Sequence, residues 1–176
     1  LQNQKNIVTL QSKTNGMNDW RTNSAIFVHL STITLIRKIM AYNLLKGKRG
    51  IIFGALNNQS IAWKVAERAV EEGAQIVLTN TAVACRMGTI AELAEKTNAT
   101  VIAADATSVE DLEMLFAESQ KALGGKIDFV LHSCAMSANM RKKRTYDDLD
   151  YNLYDKTLDI SAISFHKMIQ VAKKQD

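Results

Sequence analysis

The 176-residue sequence has no proline, where an ordinary usage of about 5% would supply roughly nine. No other feature of the sequence accounts for that absence. Cysteine is almost missing too. Cys85 and Cys134 cannot make a disulfide framework, and their scarcity suits a reducing cytoplasm. No apolar run reaches the roughly 20 residues of a membrane span. The nearest, Ala25 to Ile36, is broken by His29, Ser31, Thr32 and Thr34. It starts late and no small-x-small site follows it, which argues against a secretory signal. The net charge of +4 is not a general basic surplus. It lies wholly before Met40, in Lys5, Lys13, Arg21, Arg37 and Lys38 against Asp19. The other 17 basic and 17 acidic side chains cancel, so there is no electrostatic case for nucleic-acid binding. No His/Cys cluster accompanies Asp147, Asp148, Asp150, Asp155 and Asp159. Those acids read as a solvated helix face rather than a metal site.

The length suits one domain with a real hydrophobic core. Residues 1–39 are rich in Asn, Thr, Ser and Gln and read as an unstructured or non-native leader; the rival reading is an extra strand over Ile26 to Ile36. Met40 to Lys48 reads as a natural start leading into a first strand. From there short apolar runs alternate with amphipathic stretches. Strands are expected at Ile51–Phe53, Gln75–Asn80, Thr100–Ala104 and Ile127–His132. A helix is expected over Ile61–Glu72, with Ile61, Ala62, Val65, Ala66, Ala69 and Val70 on one face and Gly73 as its stop. Others follow over Thr89–Thr97, with Ala84 as an earlier alternative start, from Ser108 and Asp111 as a capping box to Leu123, and as one long helix over Tyr151–Lys174. This alternation predicts an α/β fold, a Rossmann-like doubly wound parallel sheet in the order 3-2-1-4. Ligands of such sheets bind at the switch point between strands 1 and 4, beyond the carboxyl ends of the strands.

Three segments fall at that edge. Gly54 to Ser60 follows the first strand and opens a helix, as a phosphate-holding turn does, although it is not G-x-G-x-x-G. Its plainer reading is a strand-to-helix turn with Ser60 as N-cap. Asp105 after the third strand is placed either to accept a hydrogen bond from an adenine amino group or simply to turn the chain before Ser108. His132 to Ser137 leaves the fourth strand. His132 reads as a structural histidine rather than a base, and Cys134 as a small filler rather than a nucleophile. The second strand ends in Asn80-Thr81 without the acid that usually grips a ribose, and Arg86 nearby could meet a 2′-phosphate, so NADH and NADPH both stay open. Arg141-Lys142-Lys143-Arg144 is a solvated loop or a landing site for an acidic partner.

These motifs together resemble the bacterial enoyl-[acyl-carrier-protein] reductases, a divergent branch of the short-chain dehydrogenase/reductase superfamily. Gly54 to Ala62 is similar to their G-x5-S-I-A turn, His132-Ser133 to their H-S pair, and Asp159-Ile160-Ser161 with Ser164-Phe165 to their long interface helix. The resemblance covers Met40 to the end. It implies an oxidoreductase of fatty-acid biosynthesis that reduces a trans-2-enoyl thioester with NADH, partnered by acyl carrier protein, cytoplasmic, and a homotetramer when full length. It places Gly54, Ser60 and Ile61 at the pyrophosphate, Thr81 near the adenosine ribose, and Asp105 and Ala106 at the adenine. Cys134 would lie beside the cofactor, and Ser137 at the acyl-pocket edge. Cys134, Ala135 and Ala138 stand where the family has Ile, Gly and Pro, and the Ala135 methyl, intruding where backbone should approach the ligand, implies weaker binding of the nicotinamide or of pocket inhibitors. The family's catalytic Tyr-x6-Lys has no counterpart among Tyr42, Tyr146, Tyr151 and Tyr154. Tyr42-x3-Lys46 precedes the first strand and reads as chance. The chain is thus expected to be an inactive amino-terminal part that stops before a fifth strand, its fourth strand exposed as an edge. The alternatives are another short-chain dehydrogenase/reductase, such as a β-ketoacyl reductase, and a non-catalytic NAD-binding module.

Overall fold

The computed structural model describes residues 41–175. The leader expected over residues 1–39, and the rival strand within it, lie outside the described residues. Four strands form one parallel sheet: β1 (Arg49–Phe53), β2 (Gln75–Asn80), β3 (Thr100–Ala103) and β4 (Phe129–His132), in the order β3-β2-β1-β4. The expected topology is therefore observed. The helices are α1 (Ile61–Glu71), α2 (Ala82–Met87), α3 (Ile90–Thr97), α4 (Val109–Leu123), α5 (Ala138–Arg141), α6 (Tyr151–Leu158) and α7 (Ser164–Lys174).

Alternating side chains of the central strands face two cores. Ile52, Ile76 and Leu78 pack with Ala62, Trp63, Ala66 and Ala69 of α1 and Ile90 and Leu93 of α3. Ile51, Phe53 and Val77 pack on the other face with Leu112, Leu115 and Phe116 of α4 and Met168 and Val171 of α7. Burial on both faces explains why these strands read as continuous apolar runs. The register brings the strand ends level: Phe53 lies opposite Thr79 on one side and His132 on the other. The loops leaving β1, β2 and β4 thus start at one height, and β1 sits at the switch point.

Several expectations need correction. Ile61 is 76% exposed and does not belong to the buried face of α1. The buried stripe is Ala62, Trp63, Ala66 and Ala69. Three alanines let the helix lie close to the sheet, and Ile61 is rotated out of that stripe. Ser60 sits at the N-cap position, but its hydroxyl does not cap α1. The helix expected over Thr89–Thr97 is preceded by a separate one, α2, which Thr81 caps by accepting a hydrogen bond from Ala84 N (3.3 Å). The box at α4 is only half formed. Ser108 Oγ accepts from Asp111 N (3.1 Å), but the Asp111 carboxylate accepts from Asp105 N (2.8 Å) and not from Ser108 N. Finally, the long helix is interrupted. A π turn over Asp159–Ile163 joins α6 to α7. Such bulges insert one residue into a helix and often mark functional places. This one falls on the Asp159-Ile160-Ser161 motif.

Candidate cofactor site

Gly54 ends β1 at φ +95°, a conformation that an L side chain rarely adopts. Its N–H donates to Thr79 O (3.1 Å), which fixes the turn against β2. A Cβ here would lie 2.1 Å from Ser133 O, so the exits of β1 and β4 touch through the missing side chain. Beyond Gly54 the loop is tied from within and from outside. Ser60 Oγ points back and accepts from Leu56 N and Asn57 N, both at 3.1 Å, and Asn57 Oδ1 accepts from Gln59 N (3.0 Å). Asn80 Nδ2 donates to Ala55 O (3.1 Å), and Thr89 N donates to Leu56 O (2.9 Å). Because Ser60 spends its oxygen on the loop, the first N–H groups of α1, at Ile61 and Ala62, have no side-chain cap. They lie at the positive end of an 11-residue helix. That is the donor set a phosphate requires.

The turn after β3 is closed by Asp105, whose Oδ1 accepts from Thr107 N (2.9 Å) and Thr107 Oγ1 (2.8 Å). The structure thus gives Asp105 the chain-turning role. The residue is exposed at the sheet edge and its Oδ2 takes no hydrogen bond among the described residues, so an acceptor remains. Ala106 beside it is buried. Ala104 N donates to Asn80 O (3.0 Å), which links this turn to the end of β2.

The β4 exit completes the site. His132 Nε2 lies 2.8 Å from Ser164 Oγ, which also lies 2.7 Å from Ile160 O. The His132–Ser164 hydrogen bond holds the imidazole against α7, its direction set by the ring tautomer. Phe165 meets the ring edge-on with centroids 5.4 Å apart. Burial lowers the His132 pKa, partly offset by a backbone hydrogen bond of its own, so the ring is neutral at pH 7. This is a structural histidine, as read from the sequence. The unfolded chain takes up a proton near the ordinary value of 6.5 that the folded chain resists. Stability contributed by His132 is thus full above that value and lost as pH falls through it towards the lower folded value. Chemical denaturation between pH 7.5 and 5 should show this loss, and His132→Gln, which keeps a hydrogen-bond partner for Ser164, should flatten it.

Cys134 packs against the core cluster that holds Ala104 and Ala106. Burial, and then the Asp105 carboxylate, push its thiol up to about 11. It is protonated at pH 7 and no nucleophile. The packing of Cys134 on the cluster that holds Ala104 and Ala106 brings the exit of β4 to the same core as the turn after β3. The next residues are stapled to the long helix. Met136 N donates to Ser161 Oγ (3.2 Å) and Ala138 N to Thr157 Oγ1 (3.1 Å), while Ser137 Oγ caps α5 by accepting from Met140 N (3.4 Å). Gly54, Ser60, Asp105, Ala106 and Cys134 thus lie on connected turns of the β1, β3 and β4 ends. Thr81 follows β2 and stands exposed at the start of α2. Asn80, Thr157 and Ser161 hold these turns together and were not singled out from the sequence as site supports. The sequence marks Asn80 only as standing where a ribose-binding acid is expected.

Among the described residues no group of acids, histidines and cysteines could hold a metal. Nor is any helix among them long and apolar enough to cross a membrane.

A four-stranded parallel sheet in this order, with a glycine turn and an uncapped helix start at the switch point, defines a Rossmann-type α/β fold. Comparison with known proteins narrows it. The family model described as "Enoyl-(Acyl carrier protein) reductase" matches residues 54–175. "Enoyl-[acyl-carrier-protein] reductase [NADH] 1" of Rhizobium meliloti is 36% identical over 126 residues, which is 71% of this chain and 46% of the relative. The Rickettsia bellii reductase of the same name type, FabI, is 35% identical over 136 residues, 77% of this chain and 51% of its own. Among solved structures, the FabI–NADH complex from Alistipes finegoldii is 73% identical with a TM-score of 0.75, covering 77% of this chain and 48% of that one. The chain belongs to the enoyl-[acyl-carrier-protein] reductase family, and it spans about half the length of the relatives it matches.

Proposed function

We propose that this chain supplies the adenine and pyrophosphate side of an NADH-dependent enoyl-[acyl-carrier-protein] reductase of fatty-acid biosynthesis. The observation that carries this reading is the phosphate turn. Ser60 folds its hydroxyl back into the loop and leaves the N–H groups at the start of α1 open beside Gly54. In this reading Gly54, Ser60 and Ile61 form the pyrophosphate cradle. The exposure of Ile61 suits a residue that meets a ligand rather than the core. Thr81 stands towards the adenosine ribose. The free oxygen of Asp105 accepts the adenine amino group, and Ala106 supplies an apolar wall. Cys134 lines the cofactor as a neutral thiol, and Ser137 borders the acyl pocket. NADH, when bound, would supply the hydride. The residues here bind and orient; the polypeptide corresponding to the relatives' other half would complete the reaction site. NADPH remains an allowed cofactor, since no acid stands at the end of β2.

The substrate in this reading is an enoyl thioester on acyl carrier protein, and the setting is the cytoplasm. The long helix pairs subunits of a homotetramer. Tyr154, Leu158, Ile163, Phe165 and Ile169 support that, since each is between 42% and 49% exposed on this element.

The test replaces the matching half of Alistipes finegoldii FabI with residues 41–175. The chimera should reduce a crotonyl thioester with NADH and ignore an acetoacetyl thioester. A folded chimera inactive on crotonyl thioester would refute the reductase reading. NADH binding without turnover would favour a binding module.

A further inference from the structure

We infer that Lys167 is a positioning residue for the adenine-side turn, holding it to the π turn of the long helix. The inference rests on the nucleotide-binding reading above. Lys167 Nζ donates to Thr107 O at 2.8 Å and to Asp159 Oδ1 at 2.9 Å. Its side chain is 25% exposed, so the contacts are partly shielded from water. Thr107 belongs to the turn that Asp105 closes. Asp159 opens the π turn, and two residues on Ser161 Oγ engages the backbone N–H and C=O of Met136 at 3.2 and 3.4 Å. One cation thus ties the turn after β3 to the same helical segment that clamps the exit of β4. The next residue, Met168, is buried in the core, which anchors the backbone from which Lys167 reaches.

The hydrogen bonds that shape the turn do not involve Lys167. Asp105 Oδ1 receives Thr107 N and Oγ1, Asp105 O receives Ser108 N (3.1 Å), and Asp111 receives Asp105 N. Removing the ammonium should leave the turn's local form intact while releasing its tether. It also leaves Asp159 without its cation. The expected consequence is a misplaced Asp105 and Ala106 in a folded chain, and so a loss specific to the adenine end. Charge-assisted bonds of this kind are about twice as strong as neutral ones, so the loss should be measurable.

The experiment uses the full 176-residue chain and calorimetric titration with NADH, ADP-ribose and inorganic pyrophosphate, with thermal unfolding alongside. Lys167→Met should weaken NADH and ADP-ribose by about fivefold to tenfold and leave pyrophosphate, which meets only the α1 turn, within about twofold. Lys167→Arg, able to reach both acceptors, should restore affinity to within about threefold. Lys167→Gln keeps a neutral amide donor without the charge and should fall between them, and it gives the answer if Lys167→Met fails to fold. Unchanged ADP-ribose affinity in a folded Lys167→Met or Lys167→Gln chain overturns the inference. So does an equal loss for ADP-ribose and pyrophosphate, which marks a general structural role. If the unaltered folded chain binds neither NADH nor ADP-ribose, the nucleotide reading itself falls and takes this inference with it.

Discussion

Gly54→Ala should abolish measurable NADH binding and cost about 2–6 kcal/mol of folding stability, from backbone strain of about 1–3 and overpacking of about 1–3 kcal/mol. The new Cβ would lie 2.1 Å from Ser133 O and 2.8 Å from Ser133 C. Both are backbone atoms at the exit of β4, so no rotamer change relieves the clash. The residue's φ of +95° adds strain that glycine avoids. Gly54 cannot easily retreat, because its N–H is held by Thr79 O. The strands must part, or the turn must swing. Either movement shifts the Ser133–Cys134 segment and the start of α1 together. Total stabilities of about 5–15 kcal/mol make a loss of this size severe. Urea unfolding and NADH titration check it. A variant as stable as its parent with unchanged affinity would contradict the geometry of the turn.

Trp63→Ala is expected to cost about 3–5 kcal/mol, the usual range for a large aromatic removed from a core. Trp63 is 4% exposed and packs with Ile52, Leu78 and Leu93 between the sheet and two helices. The alanines around it cannot collapse into the space. Its indole N–H donates to Glu67 Oε1 (3.0 Å), and Glu67 also receives Lys96 (2.6 Å) from α3 and Lys64 (3.2 Å). Burial tends to raise the Glu67 carboxyl, but these three donors overcome it and bring it to about 2. Trp63→Phe keeps most of the packing and should cost about 1 kcal/mol, roughly one hydrogen bond. Unfolding followed by circular dichroism separates the two, since Trp20 complicates fluorescence. A loss under about 1 kcal/mol for Trp63→Ala would show that the residue is not a core member.

The sheet was legible in the sequence because parallel strands buried on both faces keep their apolar runs, as in Ile51–Phe53 and Ile76–Leu78. Glycines at the ends of the first and fourth helices announced their stops, and Gly73 and Gly124 do adopt positive φ. The three turns at the switch point followed from chain order alone. The side of a helix that faces inward was less legible. Ile61 looked like core because it is large and apolar, but the small alanines decide how α1 approaches the sheet. Ser60 looked like a cap because of its place, yet two loop N–H groups claim its hydroxyl. The π turn was hidden because Ser161 within it and Ser164 just after it bond to partners distant in the chain, Met136 and His132. Lys167 and Thr107 are sixty residues apart, and no pattern joins them. The tether that organises the site was therefore unreadable before the fold brought its ends together.

The central claim is that the ends of β1, β3 and β4 form one dinucleotide seat. Calorimetric titration of the folded 176-residue chain with NADH addresses it most directly. The account predicts saturable binding of one NADH per chain, competed by ADP-ribose and lost in the glycine variant above. A folded chain that shows no saturable uptake of NADH or NADPH would contradict it.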